Sequence, residues 1–168
     1  MWVVKSGIKW FLVGKEGAPL ELENIFTGEV RHRIDDKGRV IIPAEFRPAL
    51  ADGVYVTRGL DGCLFALPLD VWEAMARKLM GLPLTDRNAR YFSRMMFSGK
   101  VFPLDKLGRI NLPAPLLEHA NIEVGQEVVI VGVNSRLEIW STERWREVTD
   151  RIEKESDFFA EQLAELGI

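Results

Sequence analysis

The chain has one cysteine and two histidines in 168 residues, and no surplus of positive charge. A lone thiol at Cys63 excludes an internal disulfide and suits a reducing cytosol. One cysteine with His32 and His119, at unrelated positions, cannot supply the spacing of a zinc site, so no metal or other cofactor is expected. Long apolar runs are missing too. The most apolar stretch, residues 1–13, is broken by Lys5 and Lys9, which leaves no membrane span, and no small-residue cleavage site marks it as a signal peptide. The glycines fall singly at turns and never form a phosphate-cradling loop. A net charge of -3 offers no general attraction to nucleic acid, so any such binding has to rest on local clusters of arginine and lysine. What is there is ordinary: 47% hydrophobic and 28% charged residues can fill a core and do not read as disorder.

The organising feature is a repeat. Asp35-Asp36-Lys37-Gly38-Arg39-Val40-Ile41-Ile42-Pro43 returns seventy positions later as Asp105-Lys106-Leu107-Gly108-Arg109-Ile110-Asn111-Leu112-Pro113. Further on, Leu64-Phe65-Ala66-Leu67 with Trp72 aligns on Leu137-Glu138-Ile139-Trp140 with Trp145 once three residues are added to a loop. A unit of this size is too small to bury a core comfortably alone, so the two copies are expected to complete each other.

Residues 1–24 match neither copy. They are expected to lie outside the core, either as a loosely attached arm or as translated upstream sequence from a start codon assigned too early. From Ile25 onward, Val30 to Ile34 alternates as a half-buried strand and Val40-Ile41-Ile42 is a short strand of branched residues. Between them Asp35 to Gly38 forms a tight turn, with Asp bonding the backbone two residues on and Gly38 taking a positive φ. A short helical turn follows Pro43. Residues 54–57 and 63–67 read as a strand pair around Gly59 to Gly62. Asp70 with Glu73 suggests a capping box for a helix reaching Gly81. Thr85 is expected to cap a connecting helix that ends near Phe97, with Arg87, Arg90 and Arg94 on one face as a solvated or functional stripe. The divisions are therefore 1–24, a first repeat over 25–81, a connecting helix over 82–97 and a second repeat over 98–168. In the last, Ser141 or Thr142 starts a long amphipathic helix, with Trp145, Val148, Ile152, Phe159 and Leu163 on its apolar face, that has to cover its own domain or a neighbouring subunit.

No nucleophile and base pair is visible, and Cys63 inside an apolar strand reads as packing material with a raised pKa, so the chain is not expected to be an enzyme. The motif turn does offer a rigid presentation of arginine. Alternation puts Arg31 and Arg33 on one strand face, away from His32 and Ile34, and a hairpin of unbroken parity adds Arg39. Three guanidinium groups on a two-stranded ribbon would suit a DNA major groove. The alternative is that Asp35 and Asp105 neutralise the following arginines in turn-stabilising ion pairs that bind nothing. The second copy is poorer for DNA, with Val101 and Pro103 in place of Arg31 and Arg33, and Leu107 in place of Lys37.

The two Asp-x-x-Gly-Arg-x-x-x-Pro motifs, the Gly28-Glu29-Val30-Arg31-His32 before the first, Thr57 to Phe65 after it, and Glu138-Ile139-Trp140 together resemble the bacterial MraZ family over residues 25–168. The resemblance implies an α+β, mainly β fold of two tandem AbrB-like swapped-hairpin modules, forming a pseudo-dimeric barrel with flanking helices. It implies a cytoplasmic, nucleoid-associated transcriptional regulator that assembles into a ring, commonly an octamer. Such a ring would bind double-stranded DNA at direct repeats upstream of its own division and cell-wall gene cluster, with no membrane and no small-molecule substrate. The DNA contacts carried over are Arg31, Arg33, Lys37 and Arg39, with Lys106 and Arg109 secondary, and Asp35, Gly38, Asp105 and Gly108 positioning the motifs. The competing reading is an AbrB-like protein-interaction module such as an antitoxin, which would use a disordered tail.

Overall fold

A computed structural model describes residues 2–6, 9–13, 19–21 and 25–167. Strands β1 (Trp2–Ser6), β2 (Lys9–Val13) and β3 (Pro19–Glu21) pair in order as an antiparallel meander. The first repeat contributes β4 (Glu29–Arg33), β5 (Arg39–Ile41), two short 3-10 turns over 44–50, β6 (Val54–Arg58), β7 (Leu64–Pro68) and α1 (Leu69–Met80). After α2 (Arg87–Met96) the second runs β8 (Lys100–Phe102), β9 (Arg109–Asn111), α3 (Ala114–His119), β10 (Glu127–Val133), β11 (Arg136–Ser141) and α4 (Thr142–Leu163). The fold is thus α+β with a mostly antiparallel sheet.

The order of the six-stranded sheet, β4-β10-β11-β7-β6-β8, reads the same when the repeats are exchanged. Each repeat's first strand pairs with the third strand of the other: β4 lies on β10, from Arg33 opposite Glu127 to Glu29 opposite Val131, and β8 lies on β6. The two copies complete each other by swapping strands. Neither could satisfy its backbone in this arrangement alone.

The central strands β7 and β11 are buried almost along their whole length, not alternately, because both faces of the sheet are covered. Val54 and Val56 point to a cluster with Val40, Ile42, Ile110 and Leu112. Tyr55, between them, points to the opposite cluster with Trp140, against which Trp72, Trp145 and Val148 pack from the helices. There the Tyr55 and Trp72 rings stack at 3.8 Å. The buried Glu138 carboxylate is satisfied by Arg136 Nε and Nη2, at 2.9 and 2.7 Å, and by Trp140 Nε1 at 3.1 Å.

Two helix starts differ from the sequence expectation. Pro68 occupies the N-cap of α1 with no side-chain cap, so Asp70 and Glu73 form no capping box, and Glu73 instead pairs with Arg77 one turn on. Asp86, not Thr85, caps α2 by accepting from the Ala89 N–H at 2.8 Å. A carboxylate is the stronger acceptor for that orphan donor. Ser141 does cap α4.

Candidate nucleic-acid interface

Asp35 builds the first turn. Its Oδ1 accepts the N–H groups of Lys37 and Arg39, each at 2.9 Å, and its Oδ2 accepts from Arg39 Nε at 2.6 Å. A short carboxylate so placed can take two amides of its own turn and a guanidinium together. The backbone closes with Gly38 N–H on the Asp35 carbonyl and Asp35 N–H on the Arg39 carbonyl. Asp105 repeats the arrangement with the amides of Leu107 and Arg109 at 2.9 Å and Arg109 Nε at 2.7 Å. The glycines are required. Gly38 and Gly108 sit at φ of +75° and +73°, and a Cβ on Gly38 would stand 3.0 Å from the Leu112 carbonyl oxygen.

These bonds set the carboxyl groups' acidity. Desolvation pushes Asp35 up, but the Arg39 amide, the Arg39 guanidinium and the Lys37 amide outweigh it and hold the group below its ordinary 3.8. For Asp105 the Arg109 amide is the largest influence and the shift is again downward. Both carboxylates are charged in neutral solution and anchor their arginines through Nε. The terminal nitrogens of Arg39 and Arg109 engage no partner among the described residues. The turn-stabilising ion pair is therefore present in both copies, and it orients the guanidinium without using its outer edge.

The expected hairpin ribbon does not form. β4 and β5 do not pair: β4 belongs to the six-stranded sheet, while β5 pairs antiparallel with β9, the matching strand of the other repeat. Arg39 lies opposite Asn111, Val40 opposite Ile110 and Ile41 opposite Arg109. Val40 and Ile110 are buried, so Arg39, Ile41, Arg109 and Asn111 share the outward face. The turns lock onto the ribbon through Ile42 N–H to the Gly108 carbonyl and Leu112 N–H to the Gly38 carbonyl, both 2.9 Å. Hydrophobic closure drives this choice, because pairing β5 with β9 buries one apolar residue from each copy against a single core.

Arg31 and Arg33 do share the exposed face of β4, with His32 turned inward, but on the edge strand of the larger sheet. Arg31 Nη1 bonds Glu127 at 3.0 Å, and Arg33 Nη1 donates to the Gly125 carbonyl at 2.8 Å. Lys37 and Lys106 are exposed on their respective turns, as is Leu107. The structure therefore brings Arg39 and Arg109 onto one ribbon, with Arg31 and Arg33 on a separate sheet.

Sequence reasoning missed Arg47. Its Nε donates to the Ile42 carbonyl at 2.8 Å, and its side chain lies across the second turn, where a Cβ on Gly108 would fall 2.2 Å from Nε. The seventy-residue offset places Leu117 at the corresponding position, and Leu117 borders Gly38. No motif marks the pair; the offset alone, applied to residues that cross between copies, could have found it. Cys63 is buried, and desolvation with the Glu138 charge pushes its thiol far up, which suits packing and not nucleophilic chemistry.

Residues 25–95 and 96–166 each match the family described as "MraZ protein, putative antitoxin-like". A protein of Roseiflexus castenholzii is 47% identical over 143 residues, covering 84% of this chain and 99% of the relative. One of Limosilactobacillus reuteri is 51% identical over 140 residues, covering 83% and 97%, and one of Halothermothrix orenii is 45% identical over 145 residues, covering 86% and 100%. Each carries the name "Transcriptional regulator MraZ".

Proposed function

Because the chain belongs to the MraZ family, we propose that it is a transcriptional regulator, a class that performs no catalysis, and that it reads double-stranded DNA through its two motif turns. The observation that carries this reading is the β5–β9 ribbon: two arginines on one outward face, each fixed through Nε by its own aspartate. A two-stranded ribbon fits the major groove, and a guanidinium held by Nε still offers its two terminal nitrogens to guanine or phosphate. Arg39 and Arg109 are the central contacts in this reading, with Lys37 and Lys106 on the turns and Arg31 and Arg33 on the flanking strand. Glu127 and Glu29 partly neutralise Arg31, which makes it a phosphate contact that exchanges partners on binding.

The DNA is proposed to be direct repeats upstream of the chain's own division and cell-wall gene cluster, bound by a ring-shaped homo-oligomer, commonly an octamer, in the cytoplasm at the nucleoid. An acidic chain with few basic contacts binds one site weakly, since affinity follows the number of phosphates neutralised. Several ribbons at fixed spacing engage several repeats and raise the effective concentration without new contacts. No helix among the described residues is long and apolar enough to cross a membrane. The competing antitoxin reading needs a segment that folds onto its target, whereas this C-terminal segment is already helical from Thr142 to Leu163.

A titration of the full chain against its upstream DNA, with repeats intact and scrambled at fixed salt, tests the proposal. Tight binding confined to intact repeats is the expected result. Equal weak binding to both would reduce the ribbon to a structural element.

A further inference from the structure

Two apolar surfaces on the helical side are left uncovered by the chain itself. The first is on α4. At 100° per residue Trp145, Val148, Ile152, Phe159 and Leu163 form one stripe. Trp145 and Val148 pack on the helix-side core, but beyond Thr149 the stripe loses its cover: Ile152 and Leu163 are exposed, as is Phe158 beside them. No residue of this 22-residue helix is fully buried.

The second surface is the junction of α1 and α2. Leu79, Leu82, Leu84, Arg90, Arg94 and Phe97 line a cleft of about 320 Å³. Leu84 is 84% exposed and Met80 77%, and Tyr91 and Phe97 are also open to solvent. Apolar side chains gathered this closely mark an interaction surface, unlike singly scattered ones. Arg90 Nη1 donates to the Leu84 and Thr85 carbonyls at 2.8 and 3.1 Å, which fixes one wall of the cleft.

The two surfaces are opposite in charge. α2 carries Arg87, Arg90 and Arg94 and no carboxylate. None of the three pairs with a carboxylate among the described residues; Arg87 and Arg94 lie over the Tyr91 ring, 5.4 and 5.6 Å from its centroid. The uncovered part of α4 carries Asp150, Glu153, Glu155, Asp157 and Glu161 against Arg151 and Lys154 only.

We propose that the outer half of α4 in one copy seats in the α1–α2 cleft of a second copy. The apolar stripe then covers Leu84 and Phe97, and the helix's carboxylates meet Arg87 and Arg94. This rests on the reading of the chain as a homo-oligomer and states which surfaces make it. The surfaces differ, so the contact is heterologous: each copy gives one helix and receives one, and such contacts close into a ring when the rotation between copies permits.

Light scattering on the full chain, wild type against Leu84→Asp and Leu163→Asp, tests the pairing. Both positions are exposed, so neither change buries a charge. The wild type is expected as a large assembly and each variant as a single chain of 19.1 kDa. An equimolar mixture of the two variants should give a species of twice that mass and nothing larger, because one of the two reciprocal contacts is intact. If the wild type assembles and either variant keeps its mass, the pairing is wrong while the oligomer stands. A mixture that stays as single chains overturns the pairing as well. A wild type that is itself a single chain removes the oligomer and the pairing together.

Discussion

Arg39 and Arg109 face the same way from adjacent strands, Arg39 opposite Asn111 and Arg109 opposite Ile41, so one short ribbon carries the arginine of both motifs. Their supporting aspartates hold them at matching distances, 2.6 and 2.7 Å. The ribbon is nearly symmetric in geometry, and its surroundings are not.

Arg39→Ala is expected to weaken binding to intact repeats by about 1–3 kcal/mol, the range of one bidentate base contact. Arg109→Ala should cost less, because the second motif turn carries Leu107 where the first carries Lys37. Titration of both variants measures the difference. Equal losses would remove the asymmetry and leave the shared ribbon.

Lys37→Ala should act uniformly across sequences. A phosphate contact contributes about 0.9 to the slope of log affinity against log salt. A salt series on wild type and variant is expected to differ by that amount with sequence preference kept. An unchanged slope with relaxed preference would make Lys37 a base contact.

Both motif glycines resist substitution. An alanine at their positive φ costs roughly 1–2 kcal/mol. Gly108→Ala should cost more than that, since its Cβ falls on the Arg47 side chain. Denaturant unfolding of a cycle with Arg47→Ala checks this: removing Arg47 should relieve part of the Gly108→Ala penalty and none of the Gly38→Ala penalty, where the obstacle is the Leu112 carbonyl.

The aspartates predict an acid limb. Their folded pKa values lie below the ordinary 3.8, so their contribution is fully present above that pH and is lost as pH falls through the lower, folded value. A variant with Asp35→Asn and Asp105→Asn lacks the linkage. Its stability should be lower near neutrality and decline less steeply below about pH 4 than the wild type's. Parallel decline of the two proteins would assign the acid limb to other carboxylates.

The sequence by itself determined the tandem repeat, the turns and most strands, because each rests on local chemistry. Asp35 bonds its own neighbours, Gly38 takes a conformation other residues resist, and Val40-Ile41-Ile42 favours an extended chain. Alternation along β4 correctly separated Arg31 and Arg33 from His32. Tertiary structure alone decided what each strand pairs with. A β-strand offers the same hydrogen-bonding edge to any partner, so nothing local in residues 29–41 distinguishes a hairpin from an exchange with the other repeat. Burying Val40 against Ile110, and laying β4 on β10, settled that choice. The same exchange brought Arg47 onto the second turn and joined the two motif arginines on one ribbon, relations between residues some sixty to seventy positions apart that no local pattern encodes.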